Sequence, residues 1–240
     1  TNAITIDSNG LNYQGDDDTF TVEYTTDGQS VNIIYSGSTN GWIPIEDDTV
    51  TDAPSKTGLN GIFGFGSTGS YTAMTNLVSD AGVVGTDVTG VGTARGGLAA
   101  CEYGEDKGIF GYGYNGGFVS MSNLVSNAGV VATDVTGVGT ARFYLGACRY
   151  GDDKGIFGFG STNGGGEQSA TNLVTNVGVI GTDVTGVGTA RYILAACSYG
   201  EDKGIFGYGT AGGNVSMTNL VSNAGVVATD TTGVGTARRY

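Results

Sequence analysis

The stretch TARFYLGACRYGDDKGIFGFG, Thr140–Gly160, decides the fold. Taken alone, its arginine, cysteine, acidic turn and glycine–aromatic run resemble a chemical site. Internal comparison gives another reading, because a fixed period is the mark of a repeat architecture. KGIFGFG at 154–160 recurs as KGIFGYG at 107–113 and 203–209, and as GIFGFG at 61–66. The isoleucines Ile62, Ile109, Ile156 and Ile205 lie 47, 47 and 49 residues apart. A second block, NLVSDAGVVGTDVTGVGTAR from Asn76, returns nearly unchanged from Asn123, Asn172 and Asn219. The loop 161–171 is two residues longer than its counterparts and accounts for the longer third interval. The opening stretch is therefore one copy of a unit repeated along the chain, and its cysteine and acids recur in three copies, which is not how a catalytic constellation is made.

Each copy reads as short extended pieces. FYLGACRY, a turn of Gly and Asp closed by Lys154, and GIFGFG form a hairpin, since Gly and Asp accept tight-turn geometry. TNLVTNVGVIG is a third strand, and TDVTGVGTAR returns as a fourth. No apolar pattern of period 3.6 reaches helical length. Four short antiparallel strands in each copy of about 47 residues match a propeller blade. The expected strand tally is one short of four full blades, because the first copy has APSKTGLN where the others have the LAAC strand. Further repeats, or a strand from a partner, are expected beyond GTARRY.

Composition bounds the function. Glycine makes up 46 of 240 residues, far above the roughly 7% of an average protein. With 10 basic and 23 acidic residues the net charge is −13, which disfavours nucleic acid and anionic membranes as partners. There is no histidine, so the commonest general base and metal ligand is missing. No apolar run reaches the roughly 18 residues of a membrane span, and no membrane insertion is expected. Cys101, Cys148 and Cys197 occupy one equivalent position in successive copies. They read as small buried residues, not as a disulfide framework or nucleophiles. The acidic turns GEDKG and GDDKG, and GDDD at 15–18, lack the ligand spacing of a calcium loop, and no cofactor or metal is expected.

The order R…LAAC.YGDDKGIFGFG……NLV…GV…D…G…TAR, over about residues 57–240, resembles the kelch type of propeller blade. Arg142, Asp153, Lys154, Phe157, Gly158, Gly160 and Asp183 are the matching positions of one copy. Two departures stand out: the glycine pair is split as Gly-aromatic-Gly, and the closing tryptophan is absent. A Gly-rich β-solenoid is the structural alternative. Every copy also carries an ionic pair expected to lock its blade: Asp87 with Arg95, Asp134 with Arg142, Asp183 with Arg191, and Asp230 with Arg238.

Residues 1–45 differ. Alternation of Ile4 and Ile6, of Phe20, Val22 and Tyr24, and of Val31, Ile33 and Tyr35 predicts half-buried strands. Gly28, Gln29, Ser30, Val31, Ile34, Tyr35, Gly41 and Trp42 resemble small β modules of phage tail fibres and other virion appendages. Such modules are commonly trimeric, which would bury Trp42 or its neighbours between chains. The expected organisation is all-β: a small module at 1–45 for attachment or trimerisation, a polar linker at 46–57, and kelch-like repeats over 58–240.

The copies differ after the arginine, after the cysteine (Glu102, Arg149, Ser198) and in the loops between blocks. Variable loops on a rigid scaffold are where recognition sits. Tyr71, Tyr114, Phe118, Phe143, Tyr144, Gln168 and Tyr192 are the candidate recognition residues, suited to sugars or flat polymer surfaces. The resemblance implies a bacteriophage virion component, a tail fibre, tail tip or head appendage. It would be a homotrimer joined to other virion proteins and would contact a host-surface glycan or protein. The alternatives are a secreted or cell-surface, filament-forming repeat protein and, third, a carbohydrate-active enzyme on a propeller scaffold. A glycosidase needs one unique carboxylate pair, whereas the acids here recur in every copy, so no enzyme is expected.

Overall fold

A computed structural model describes residues 4–15, 22–24, 32–45, 61–162 and 166–239. The chain is all-β, with no helix among the described residues. It divides into two compact units, residues 1–58 and 59–240. The proposed linker at 46–57 lies outside the described residues, as do Phe20 and Gly28 to Val31.

In the first unit, β1 (Ile4–Ile6) pairs antiparallel with β2 (Val22–Tyr24). Likewise β3 (Ile33–Tyr35) pairs with β4 (Trp42–Pro44). The Tyr35 and Trp42 rings meet at 5.5 Å. Gly41 adopts φ +65° with its Cα against the Asn12 carbonyl, where any side chain would collide. Tyr13 is buried, while Ile34, Tyr35 and Ile45 are exposed.

The second unit is built from four antiparallel sheets, one for each copy of the sequence block. The first copy has β5 (Gly61–Ser67) and β6 (Tyr71–Val78). The second has β7 (Ala99–Tyr103), β8 (Lys107–Tyr114) and β9 (Phe118–Val125). The third has β10 (Gly146–Tyr150), β11 (Lys154–Gly158) and β12 (Thr171–Val174). The fourth has β13 (Ala195–Tyr199), β14 (Lys203–Gly207) and β15 (Thr218–Val221). The strand order follows the chain in every sheet, and β10 packs against both β7 and β13. The expected hairpins form at the expected turns, with Tyr103 opposite Lys107 and Tyr150 opposite Lys154. Glu105, Asp152 and Glu201 turn the chain at φ of 65–68°, and each following aspartate pairs with its neighbouring lysine.

The fourth strand differs from expectation. It returns antiparallel but bonds to the third through isolated bridges, Val78 to Val84 and Thr75 to Val88 in the first copy. Five residues of the return, 84–88, face four of β6, 75–78, so one extra residue bulges out. The same offset recurs between β9 and 131–135, β12 and 180–184, and β15 and 227–231. A bulge re-aims a side chain, and here Asp87, Asp134, Asp183 and Asp230 sit within it.

The split glycine pair also has a structural reason. Phe65, Tyr112, Phe159 and Tyr208, each between two glycines, adopt φ of 63–64°. A left-handed backbone costs a bulky residue about 1–2 kcal/mol. What holds it is an arginine over each ring. Arg95 lies 4.3 Å from the Phe65 centroid, Arg142 4.5 Å from Tyr112, Arg191 4.2 Å from Phe159 and Arg238 3.8 Å from Tyr208.

The ionic pairs are one copy out of step with the expected pairing. Arg95 faces Asp134 at 3.9 Å, Arg142 faces Asp183 at 3.6 Å and Arg191 faces Asp230 at 3.8 Å. Each arginine stacks on the aromatic of its own copy and donates into the next. Arg95 Nε reaches the Tyr112 carbonyl at 2.8 Å, and its Nη2 reaches Asn123 Oδ1 at 2.7 Å. The threonine two residues earlier joins in, with Thr93 Oγ1 donating to Asp134 at 2.6 Å and Thr140 Oγ1 to Asp183 at 2.6 Å. These arginines and Asn123, Asn172 and Asn219 are wholly buried. Asp87 accepts from Asn76, and among the described residues no arginine faces it.

Packing repeats the same offset. Phe110 packs on Gly64, Phe157 on Gly111 and Phe206 on Gly158. A methyl at Gly111 would lie 2.7 Å from the Phe157 ring, whereas at Gly207 the nearest atom is Thr218 Cγ2 at 3.3 Å. Gly111→Ala and Gly158→Ala are therefore expected to cost about 1–3 kcal/mol through overpacking. Gly207→Ala, whose added methyl meets only Thr218 Cγ2 and no ring, is expected to cost less than either. Urea unfolding midpoints of the three variants check this.

Burial pulls the arginines below their ordinary value, Arg95 to about 10, so they stay charged at neutral pH. Burial pushes Asp134, Asp183 and Asp230 upward, but hydrogen bonds from threonine and asparagine, with the facing arginine, outweigh it. Each carboxyl ends below the usual range. A depressed carboxyl stabilises the fold above its unfolded value of about 3.9 and ceases to do so as pH falls through the lower folded value. The melting temperature is thus expected to be flat from pH 7 to about 5 and to fall below pH 4. Calorimetric scans at half-unit pH steps measure it; a melting temperature unchanged down to pH 2 would contradict it.

Candidate functional site

Five of the loop aromatics chosen from sequence variation come together. Tyr71 meets Tyr114 at 6.0 Å between ring centroids. Tyr114 meets Phe118 at 5.3 Å and Phe143 at 6.0 Å. Phe143 closes on Phe118 at 5.1 Å and on Tyr144 at 4.2 Å. The result is a continuous aromatic row across three copies, with Tyr71 exposed and the other four half-buried.

Local backbone chemistry makes the row. The residue after each arginine bridges to the next copy: Gly96 exchanges hydrogen bonds with Tyr114 at 2.9 Å each way, and Phe143 with Ser161. Gly96 and Gly97 leave the space that the Tyr71, Phe143 and Tyr144 rings approach, at 3.0–3.3 Å from where a methyl would lie. Gly97, Tyr144 and Ile193 are equivalent and left-handed, with φ of 60°, 53° and 53°. The Tyr144 N–H donates to the Gly97 carbonyl at 2.7 Å, and the Ile193 N–H to the Tyr144 carbonyl at 2.9 Å.

Tyr144 also lines a cleft of about 370 Å³ floored by Leu98, Ala100, Leu145, Ile193 and Leu194. The ring row offers aromatic faces for stacking, and its tyrosines carry hydroxyls able to hydrogen-bond.

Gln168 and Tyr192 do not join the row among the described residues. The Gln168 N–H donates to the Gly160 carbonyl and its own carbonyl accepts from the Arg191 N–H. Tyr192 bridges to Thr210 one copy further on. Both are half-buried.

A second grouping was visible in the sequence as variation after the cysteine but was not chosen as a site. Glu102, Arg149 and Ser198 line a cleft of about 340 Å³ together with the three cysteines. Arg149 faces Glu102 at 3.6 Å, and Ser198 Oγ accepts from the Arg149 N–H at 3.0 Å. Burial pushes the Cys101 thiol far up and the Cys148 thiol to about 12, which keeps both as unreactive thiols at neutral pH. Cys148 is buried as expected, while Cys197 is exposed. Neither cleft is lined by two carboxylates. Among the described residues no cluster of three metal-binding side chains occurs.

Compared with known proteins, the chain matches no family model and no curated protein.

Proposed function

We propose that this chain is a structural component of a bacteriophage virion, a tail-fibre, tail-tip or head-appendage subunit, whose repeats contact the host surface. The observation that carries the reading is the aromatic row of Tyr71, Tyr114, Phe118, Phe143 and Tyr144, assembled from the segments that differ between otherwise near-identical copies. Natural partners for such a row are glycans of a cell envelope, whose apolar sugar faces stack on rings while hydroxyls meet tyrosine.

The repeats are read as kelch-like propeller blades. Each copy closes its own sheet, and β7, β10 and β13 pack side by side with backbone hydrogen bonds linking their approaches. A solenoid would instead pair strands of successive copies in one continuous sheet. The N-terminal module is read as the attachment and trimerisation unit. Its exposed Ile34, Tyr35 and Ile45 supply apolar surface for burial between copies, as the resemblance to fibre modules implies. The reading is of a binding and structural role, not an enzymatic one.

The test is binding of the purified chain to a panel of bacterial envelope polysaccharides. Tyr71→Ala and Tyr114→Ala are each expected to weaken binding about tenfold, the loss of about 1.4 kcal/mol. Tyr192→Ala is expected to leave it unchanged. Absence of binding to any envelope preparation, or equal loss in Tyr192→Ala, would contradict the reading.

A further inference from the structure

The aromatic row and the cleft of about 370 Å³ share two residues. Tyr144 lies in the row, 4.2 Å from Phe143, and also lines the cleft. Gly97 lines the same cleft, and a methyl on it would sit 3.1 Å from the Phe143 ring and 3.3 Å from the Tyr144 ring. Row and cleft are therefore contiguous.

Their chemistry differs. The cleft is lined by Leu98, Ile193 and Leu194, by the equivalent alanines Ala100, Ala147 and Ala196, and by no charged side chain among the described residues. Apart from the Tyr144 hydroxyl, its polar groups belong to the backbone. The alanines stand on β7, β10 and β13, each an edge of its own sheet. Ser198 marks the direction in which the free edge of β10 points. Its Oγ accepts from the Arg149 N–H at 3.0 Å and donates to the Arg149 carbonyl at 3.2 Å. Alternation along a strand gives the Ala147 N–H and C=O that same direction, away from β11. Two places before Ser198 stands Ala196, whose side chain can bond to neither. Apolar side chains beside unclaimed backbone donors and acceptors match a group that is itself a methyl joined to an amide. A charged group would lose its hydration there with no side chain to neutralise it.

We infer that the cleft is the subsite for an acetamido group, and that the site takes an uncharged glycan built from N-acetylated amino sugars. Neighbouring sugar rings lie on Tyr144, Phe143 and Tyr114. The acetamido methyl meets Leu98, Ile193 and Leu194, and its N–H and C=O bond to the backbone around Ala147. The assignment rests on the host-surface reading and narrows it to one class of glycan. A hydroxyl in place of the acetamido group leaves the apolar wall unfilled, and a free amine brings in a cation. A site built to hydrogen-bond a substrate group rejects the analogue that lacks it.

Calorimetric titration of the full chain tests this with hexamers of N-acetylglucosamine, glucosamine and glucose that share one linkage. The acetylated hexamer is expected to bind about tenfold or more tighter than either of the others. Ile193→Gly removes a wall of the cleft at a left-handed position (φ 53°) that glycine accepts. It is expected to cut the preference over the glucose hexamer below about threefold and to leave glucose-hexamer binding unchanged. Tyr71→Ala, at the far end of the row, is expected to weaken both hexamers alike and to keep the preference. Thermal melts verify that both variants fold. Equal binding of the acetylated and glucose hexamers by the unmodified chain, or a preference that survives Ile193→Gly intact, would overturn the inference and leave the row reading standing. Binding of envelope polysaccharides but of no hexamer would also overturn it, and binding of none of these would overturn the host-surface reading with it.

Discussion

A buried arginine that belongs to one repeat and is satisfied by the next is the constraint on which the second unit depends. Arg95, Arg142 and Arg191 have no exposure. An isolated buried cation costs several kcal/mol, so each must be offset, although Arg142 Nε is buried without a hydrogen-bond partner among the described residues. The aromatic ring of its own copy takes one face of the guanidinium, worth about 2 kcal/mol when desolvated. The following copy supplies asparagine and aspartate, and for Arg95 and Arg191 a backbone carbonyl. The strained left-handed aromatic, the bulge that aims the aspartate and the buried asparagine are all consequences of holding that cation.

The glycines belong to the same design. Gly64, Gly111 and Gly158 exist because a phenylalanine of the neighbour occupies the space a side chain would fill. The polar rivet runs from each copy into the next and the ring-on-glycine contact runs back, so no single copy can satisfy itself. Stability then resides in the junctions, as in repeat arrays generally. The terminal copies expose what the internal ones bury. The functional surface inherits this geometry, because bringing copies into register also brings Tyr71, Tyr114 and Phe143 from successive loops into one row.

Much of this was legible in the sequence. The period, the hairpins and their turns follow from near-identical blocks punctuated by Gly and Asp. The loop aromatics were found because variation against a constant background is visible within one chain. The identity of the partner was not legible: when every copy carries an Asp and an Arg, sequence cannot tell which copy's aspartate faces which arginine. The within-copy pairing was the simpler guess, and the bulge at Asp134 and its equivalents decided otherwise. The Gly-aromatic-Gly run looked like a lapse from the kelch pattern because backbone handedness leaves no mark in composition. Gln168 and Tyr192 were chosen from the variable segments with the other five, but the Gln168 backbone is bonded within its own copy and Tyr192 bridges to the copy after it.

The most direct measurement is a pair of double-mutant cycles on Arg142, combining Arg142→Met once with Asp183→Asn and once with Asp134→Asn, read by urea unfolding. Contacting residues couple by about 0.5–3 kcal/mol, whereas separated ones add within about 0.5 kcal/mol. The account predicts coupling of about 2 kcal/mol for Arg142 with Asp183 of the next copy and none beyond about 0.5 kcal/mol with Asp134 of its own copy. Equal couplings, or the larger one to Asp134, would contradict it.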